Sequence, residues 1–216
     1  MTFRHDPSGF APLCLIVPGI DNSGPDHWQT RWEERRDDCA RVELGLWDRP
    51  RRNTWVKNLD AAIRSAGRPV ILVAHSLGCH AVAWWNALER PDDGKVVGAL
   101  LVAPPKVDGL TADSRIDEFA PLARDKLRFP SLLAASRDDP YVSFEQAKRM
   151  ARTWGSRLVD VGWLGHVNAR SGIGHWPYGE FLLERLIHSL RWSSVTRASF
   201  ASPVLPRSHE IALALD

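Results

Sequence analysis

The sequence has few of the features that mark secreted, membrane or nucleic-acid-binding proteins. Its 216 residues include only three cysteines, and the formal net charge is +2. Three cysteines cannot all pair and their spacing matches no zinc motif, so we expect reduced thiols, no metal and a cytoplasmic protein. So small a charge does not favour a nucleic acid partner. No apolar run approaches the roughly 20 residues of a membrane span, and the polar start of the chain lacks a signal-peptide core.

The composition that remains is that of an ordinary globular domain. Hydrophobic residues make up 44% of the chain and charged residues 25%, which is close to the average for such domains. The length allows one substantial core and is short for two domains. We therefore predict a single domain over residues 1–192, followed by a C-terminal extension of uncertain order at residues 193–216.

Short apolar runs alternate along the chain with stretches of helical periodicity. Helical spacing occurs at residues 55–66, at residues 143–154 behind a Ser143–Gln146 capping box, and in a last helix around residues 181–190,. This alternation predicts a compact, doubly wound parallel sheet of about six strands, covered on both faces. The strand candidates are Leu13–Pro18, Arg41–Leu46, Val70–Ala74, Val97–Ala103, Leu132–Ser136 and Arg157–Val161.

The third strand candidate ends in a pentapeptide typical of a nucleophile elbow. Residues 74–78 read Ala-His-Ser-Leu-Gly, after an apolar β-branched run and before a helical pattern. A serine on such a strand–turn–helix element stands clear of the backbone at the carboxyl end of its strand. Gly78 leaves room for the turn, and Ala74 is small where the usual motif has glycine. We predict Ser76 as a nucleophile, with a chance pentapeptide in a βα loop as the alternative.

A serine nucleophile needs a base and an orienting carboxylate, and later segments contain both. In α/β-hydrolases the order along the chain is serine, then acid, then histidine. Asp138 and Asp139 follow the fifth strand candidate, and His166 follows the sixth. All would reach the carboxyl edge of one parallel sheet, where open α/β folds bind ligands. Only one of the adjacent carboxylates can face the histidine, and we predict Asp139, three residues before the apolar Val142.

Other histidines compete with His166 as the predicted base. His80 lies one turn along the nucleophile helix and is expected to point away from the site. We expect His75, next to the serine, to be packed and hydrogen-bonded. His175 precedes a Trp-Pro pair, which favours a capping or surface role.

The loop after the first strand candidate is expected to complete an oxyanion hole. One donor in acyl-transfer enzymes of this fold is the N–H of the residue after the nucleophile, here Leu77, and the other comes from this loop. Gly19 gives the loop freedom to turn an N–H inward, and Ile20 is the predicted donor. An ordinary βα turn is the alternative. The spacing from Gly19 to Gly24 excludes a dinucleotide fingerprint,.

Three aromatic residues are candidate substrate contacts. His27 either lines the site or fixes the start of the first helix. Trp163 and Trp176 flank the loop of His166, so either indole could reach a substrate. Core packing is the alternative for both tryptophans.

Four blocks of the sequence resemble the small α/β-hydrolase family that includes retinoblastoma-binding protein 9. They are residues 24–33 (GPDHWQTRWE), 75–79 (HSLGC), 139–142 (DPYV) and 165–172 (GHVNARSG). The likeness covers roughly residues 12–191 and keeps the order of the blocks. It implies a compact serine hydrolase with a minimal cap and a triad of Ser76, Asp139 and His166, acting as an esterase or a peptidase. His175 stands where members commonly have another residue.

The predicted function is hydrolysis of a small ester, thioester or amide through an acyl-serine intermediate. The lid region from Pro104 to Pro130 is short, and a predicted helix at Arg115–Leu122 occupies much of it, which favours a small or solvent-accessible acyl group. We expect a small molecule or short peptide as substrate and no cofactor. One alternative is a hydrolase-fold module that binds a protein partner with little turnover, against which the complete triad argues. Another is a cofactor-free lyase or peroxidase.

Overall fold

The residues that the structure describes fold around one parallel β-sheet of six strands. The structure is a computed structural model that describes residues 11–91, 93–111 and 113–199, with side chains as far as residue 190. The order across the sheet is β2-β1-β3-β4-β5-β6, and every neighbouring pair is parallel. This confirms the predicted α/β architecture. The strands are β1 (Leu13–Val17), β2 (Cys39–Arg41), β3 (Val70–His75), β4 (Val96–Val102), β5 (Ser131–Ala135) and β6 (Arg157–Asp160).

Helices cover both faces of this sheet. In the described ranges the α-helices are α1 (Trp28–Arg35), α2 (Arg52–Ser65), α3 (Leu77–Glu89), α4 (Phe144–Trp154) and α5 (Pro177–Ser199). One core joins α2, α3 and α4 to the sheet through residues such as Leu59, Val82 and Ala147. The other joins α1 and α5 to the opposite face through Trp28 and Leu183. Because both faces are covered, the strands are almost continuously apolar.

The chain reverses its path across the sheet between β1 and β3. From β1 it steps outward to β2 and then returns through α2 to β3, on the other side of β1. The carboxyl ends of β1 and β3, at Val17 and His75, therefore border a topological switch point. Open α/β sheets bind ligands at such a point.

The second strand lies earlier in the chain than the sequence predicts. The prediction was Arg41–Leu46, whereas β2 ends at Arg41. Val42 and Leu44 are buried in the core, but only Val42 extends the pairing, by donating to the Ile16 carbonyl oxygen (2.9 Å). At this edge of the sheet, apolar side chains remain packed in the core beyond the last backbone pair of β2. The apolar pattern therefore predicts a longer strand than the one that forms.

The segment between β4 and β5 forms a minimal cap, as predicted. Its helix is a 3₁₀ turn at Ser114–Phe119, shorter than the predicted Arg115–Leu122, because Pro121 disfavours helical backbone at the residue before it. At the other end of the chain, α5 continues past residue 192 to Ser199, through a stretch with neither glycine nor proline. The rest of the proposed extension lies outside the described residues. None of the helices in the described ranges combines the length and the apolar character needed to cross a membrane.

Candidate active site

Ser76 occupies a strained turn between β3 and α3. Its backbone has φ of 53° and ψ of −126°, a conformation that residues other than glycine rarely adopt. The turn packs closely against β1, so that a Cβ on Gly78 would lie 2.3 Å from the Val17 carbonyl oxygen and 2.5 Å from that of Pro18. Glycine at position 78 is therefore required by the lack of space.

A continuous chain of hydrogen bonds joins Ser76, His166 and Asp139. The Ser76 hydroxyl lies 2.9 Å from Nε2 of His166, and Nδ1 of His166 lies 2.9 Å and 3.0 Å from the two oxygens of Asp139. A carboxylate beside Nδ1 keeps the proton there, so Nε2 is free to accept the serine proton. The side chains of His166 and Asp139 are 9% and 1% exposed, so water competes little for these contacts.

The structure distinguishes the two adjacent carboxylates. Only Asp139 reaches the imidazole. Asp138 instead accepts hydrogen bonds from the Ser136 hydroxyl (2.7 Å) and the Gly165 N–H (2.8 Å). These two donors lower the pKa of Asp138. Asp138 thus ties the end of β5 to the loop that carries His166.

His75 contacts the same loop from the end of β3. Its Nε2 donates to the carbonyl oxygen of His166 (2.9 Å), and the two rings lie 5.0 Å apart. Burial lowers the pKa of His75 well below its ordinary value, so the ring is neutral. This residue is packed and hydrogen-bonded, as predicted from the sequence, and it also forms part of the cavity wall.

The two other candidate bases lie away from the cavity wall. His80 is inside the core, where its Nε2 donates to the Pro105 carbonyl oxygen (2.8 Å). Burial lowers the pKa of His80 to about 4. The carbonyl oxygen of His175 accepts from the indole N–H of Trp32 (2.6 Å), and its ring does not border the cavity. Among the described histidines, only His166 hydrogen-bonds to Ser76.

The predicted oxyanion donors lie at the start of α3 and in the loop after β1. Leu77 is the first residue of α3, and Ile20 is part of the cavity wall. Neither backbone N–H has an acceptor within the described part of the chain. For Leu77 this is normal, because it lies in the first turn of a helix. A Cβ on Gly19 would lie 2.7 Å from Cβ of Ser76. Glycine is therefore needed at position 19 for close approach to the elbow, and not for the conformational freedom predicted from the sequence.

Two arginines hold the loop after β1 in place. From β2, Arg41 donates to the side-chain oxygen of Asn22 and to the carbonyl oxygen of Ser23, both at 2.9 Å. From the cap, Arg115 donates to both oxygens of Asp21, at 2.9 Å and 3.1 Å. Neither arginine is marked by a sequence motif, and their partners are distant in sequence, so the sequence alone does not reveal their contacts with the site.

These groups surround a cavity of about 360 Å³ at the switch point. Ser76 and His166 form part of its wall, together with the loop after β1, the start of α1 and the cap. This volume suits a small ligand. The charged side chains on the wall, apart from the histidines, are Asp21, Lys106, Asp113, Arg115 and Arg170.

His27 is the N-cap of α1 and also borders the cavity. Its Nδ1 accepts a hydrogen bond from the Gln29 N–H (3.2 Å), and the residue is 5% exposed. Burial, with smaller contributions from Arg41 and His166, lowers the pKa of His27 to about 3. His27 therefore has both of the positions considered from the sequence, because it caps the first helix and also lines the cavity.

The two tryptophans predicted to contact substrate have different environments. Trp163 is 70% exposed and borders a second groove, which meets the cavity at His166. Trp176 is 2% exposed and packs against Trp28 and Trp32, with ring centroids 5.1 Å and 6.4 Å away. The prediction for Trp176 is therefore corrected, because its indole belongs to the core and does not border the cavity.

One group of potential metal ligands occurs among the described residues, at the opposite edge of the sheet. The ligand atoms of Cys14, Asp38 and Cys39 lie within 4.8 Å of one another. Arg36 already donates to both oxygens of Asp38, at 2.9 Å and 2.8 Å. A hydrogen bond with Cys39, together with burial, raises the pKa of the Cys14 thiol. An arginine on the carboxylate and a protonated thiol do not fit a cation site.

The sheet order and the serine elbow at the switch point define the protein as an α/β-hydrolase,. The sequence also matches the family model described as serine hydrolase over residues 14–185. The chain therefore belongs to the serine hydrolase family, which agrees with the resemblance noted in the sequence.

Bacterial hydrolases resemble this chain, two of them in sequence and a third in fold alone. The hydrolase YdeN of Bacillus subtilis (strain 168) is 26% identical over 172 residues, covering 75% of this chain and 89% of YdeN. The crystal structure of a YdeN-like hydrolase from Pectobacterium atrosepticum has a TM-score of 0.73 and 32% identity, and covers 82% of this chain and 91% of that chain. The structure of Est1E from Butyrivibrio proteoclasticus with ferulic acid bound has a TM-score of 0.60 and 16% identity. The match covers 81% of this chain and 89% of Est1E, and at this identity it shows a similar fold alone. These comparisons support a hydrolase.

Proposed function

We propose that the protein cleaves a small carboxylic ester, thioester or amide through an acyl-serine intermediate. Ser76 is the nucleophile, His166 the general base and Asp139 the residue that orients the base. The observation that carries the proposal is the 2.9 Å contact between the Ser76 hydroxyl and Nε2 of His166, whose Nδ1 is held by Asp139. A base must come this close to the proton that it removes.

The reaction then has two halves. As Oγ of Ser76 attacks the acyl carbon, His166 takes the serine proton and passes it to the leaving group. The N–H groups of Leu77 and Ile20 bind the oxyanion of the tetrahedral intermediate. In the second half, His166 removes a proton from water, which attacks the acyl carbon. His166 then returns that proton to Oγ of Ser76 as the acyl–oxygen bond breaks and the carboxylic acid leaves.

The size and openness of the site support a small substrate. The cavity measures about 360 Å³, and the cap above it contains only one short 3₁₀ helix within its described residues. Trp163 stands at the edge of the adjoining groove, where its exposed indole would contact a part of the substrate that extends beyond the cavity.

Labelling with a fluorophosphonate tests the proposal. We expect the wild-type protein to be labelled at Ser76, and Ser76→Ala to lose both labelling and hydrolysis of short p-nitrophenyl esters. His166→Ala should lose turnover with an unchanged circular dichroism spectrum, whereas His175→Ala, as the control, should keep the acylation step. Labelling of another serine, or undiminished hydrolysis by Ser76→Ala, would contradict the proposal. Labelling without turnover of any ester, thioester or amide would favour the protein-binding alternative.

A further inference from the structure

We propose that His27 binds the substrate directly, as a neutral imidazole that donates a hydrogen bond from Nε2 to an uncharged oxygen atom of the substrate. The inference rests on the proposed function, because it concerns the same cavity. It assigns a role to a side chain that the chain of hydrogen bonds from Ser76 to Asp139 does not use.

The tautomer of His27 follows from its position as the N-cap of α1. The backbone N–H of Gln29 can only donate, so Nδ1 of His27, 3.2 Å away, must be the acceptor,. The single proton of a neutral imidazole is then on Nε2. Burial lowers the pKa of His27 to about 3. The ring therefore stays neutral, and Nε2 stays a donor, at any pH at which His166 could act as a base.

This donor has no acceptor in the part of the chain that the structure describes. Nε2 of His27 is buried and has no hydrogen-bond partner among the described residues, although the great majority of buried polar groups in proteins have one. The residue is only 5% exposed, yet it forms part of the wall of the cavity that contains Ser76. A substrate oxygen would supply the missing acceptor once a small shift of the cavity wall uncovers Nε2, and the folded protein already carries the cost of burying the donor.

The neighbouring imidazoles show why His27 is the one left for a ligand. Its ring lies edge to face with that of His75, with centroids 4.6 Å apart, and His75 lies 5.0 Å from His166. Nε2 of His75 donates to the His166 carbonyl oxygen, and Nε2 of His166 is hydrogen-bonded to the Ser76 hydroxyl. Only the Nε2 of His27 is without a partner in this cluster of three.

The chemistry of the donor indicates the kind of substrate. A neutral N–H with a fixed tautomer favours a carbonyl, ether or hydroxyl oxygen, because pairing these atoms does not require an ion to be buried. We therefore infer that the preferred substrate carries such an oxygen, either in its acyl group or in its leaving group. The two locations predict different kinetics, since only the acyl group remains on Ser76 during deacylation.

Two substitutions at this position separate the donor from the cap. His27→Asn keeps an acceptor near the position of Nδ1, and asparagine is a favoured N-cap, but it removes the Nε2 donor. His27→Gln keeps an amide donor near the position of Nε2 and removes the cap. The substrates are two sets of esters, one with a methoxy oxygen in the acyl group and one with a methoxy oxygen in the alcohol. We expect kcat/KM for one of these sets to fall about tenfold in His27→Asn, the value of roughly one hydrogen bond, with an unchanged melting temperature. His27→Gln should stay within about threefold of wild type but melt a few degrees lower.

Separate measurements decide the outcome. Wild-type activity in His27→Asn, or activity that follows the melting temperature in both variants, would overturn the inference. So would an NMR spectrum of ¹⁵N-labelled histidine that places the His27 proton on Nδ1. A loss confined to acylation puts the bound oxygen in the leaving group, and a loss in both steps puts it in the acyl group. Fluorophosphonate labelling distinguishes failure of this inference from failure of the proposed function. If wild-type Ser76 is not labelled, the proposed function is wrong. If labelling is normal and His27→Asn is fully active, only the role of His27 is wrong.

Discussion

Gly78, in the first turn of α3, lies so close to the carbonyl oxygen of Val17 that a Cβ would stand 2.3 Å from it. This contact presses the start of α3 against the end of β1. The elbow of Ser76 and the loop after β1 therefore share one packing arrangement, and the spacing between the serine hydroxyl and the predicted oxyanion donors depends on it.

Gly78→Ala should therefore destabilise the protein. The new methyl group meets backbone oxygens, which cannot rotate away, so we expect a loss of about 1–3 kcal/mol in the free energy of unfolding, the usual cost of overpacking. Gly67→Ala is the control, because a Cβ at that position meets nothing within 4 Å. Urea denaturation measures both variants. Equal stability of the two alanine variants would contradict the proposed close contact.

The fold was largely predictable because its strands are buried on both faces. The continuous apolar runs place β1, β3, β4, β5 and β6 within one residue of their observed ends. The exception is the edge strand β2, where packing and backbone pairing stop at different residues. An apolar pattern predicts which side chains are buried, but it does not predict which backbone groups form hydrogen bonds.

The candidate site was predictable only where it follows strand ends. Ser76, Asp139 and His166 each come shortly after a strand, so parallel topology brings them to one edge of the sheet. Arg41 and Arg115 reach the site through contacts between segments that are distant in sequence, and no local pattern marks them. Trp176 flanks the loop that carries His166, as predicted. Whether its indole faces the cavity or the core depends on the packing of α1, which no local sequence pattern specifies.

Asp139→Asn and Asp138→Asn test the choice between the adjacent carboxylates. Asp139 lies 2.9 Å from Nδ1 of His166. An amide there would favour the wrong tautomer of the base, so we expect turnover to fall on the order of 10⁴-fold, as when the equivalent acid of a serine protease is replaced. Asp138→Asn should cause a smaller loss, since Asp138 orders the loop through Gly165. Steady-state kinetics on one ester ranks the two variants, and the reverse order would assign the orienting role to Asp138.

Arg41→Lys tests how the loop after β1 is held. One terminal nitrogen of the guanidinium donates to both Asn22 and Ser23. The other two nitrogens donate to Glu33 and Thr30, and a lysine ammonium cannot reproduce this planar spread of donors. We expect kcat to fall about tenfold, equivalent to one misplaced hydrogen bond in the oxyanion hole, with a smaller change in KM. Arg64→Lys, which alters an exposed ion pair on α2, should change neither value. An unchanged kcat in Arg41→Lys would show that the loop does not need this arginine.

Three buried histidines predict a loss of stability in mild acid. Burial lowers the pKa of His27 to about 3 and of His80 to about 4, and takes that of His75 well below its ordinary value. In the unfolded chain, histidine takes up a proton below about pH 6.5. The unfolded state therefore binds more protons than the folded state as the pH falls from 6.5 towards 4. The stabilisation is complete above pH 6.5 and declines through this window.

Urea denaturation at pH 7, 6 and 5 measures this decline. Each histidine contributes up to about 1.4 kcal/mol per pH unit below its unfolded pKa. His80→Gln is the matched variant, because it keeps a donor for the Pro105 carbonyl oxygen but cannot titrate. It should reduce the slope of stability against pH by about one third. An unchanged slope in His80→Gln would mean that burial does not lower the pKa of His80 below its value in the unfolded chain.

Trp163→Ala and Trp176→Ala separate a surface tryptophan from a core tryptophan. Trp176 is 2% exposed and packs against Trp28, so its truncation should cost about 3–5 kcal/mol of unfolding free energy. Trp163 is 70% exposed, so its truncation should change stability by no more than about 0.5 kcal/mol and should raise KM for esters long enough to reach the adjoining groove. Thermal unfolding and KM, measured across a series of acyl and leaving-group lengths, check both variants. If Trp176→Ala kept wild-type stability and changed KM instead, its indole would have to leave the core to meet the substrate, and the packing of α1 against α5 would need revision.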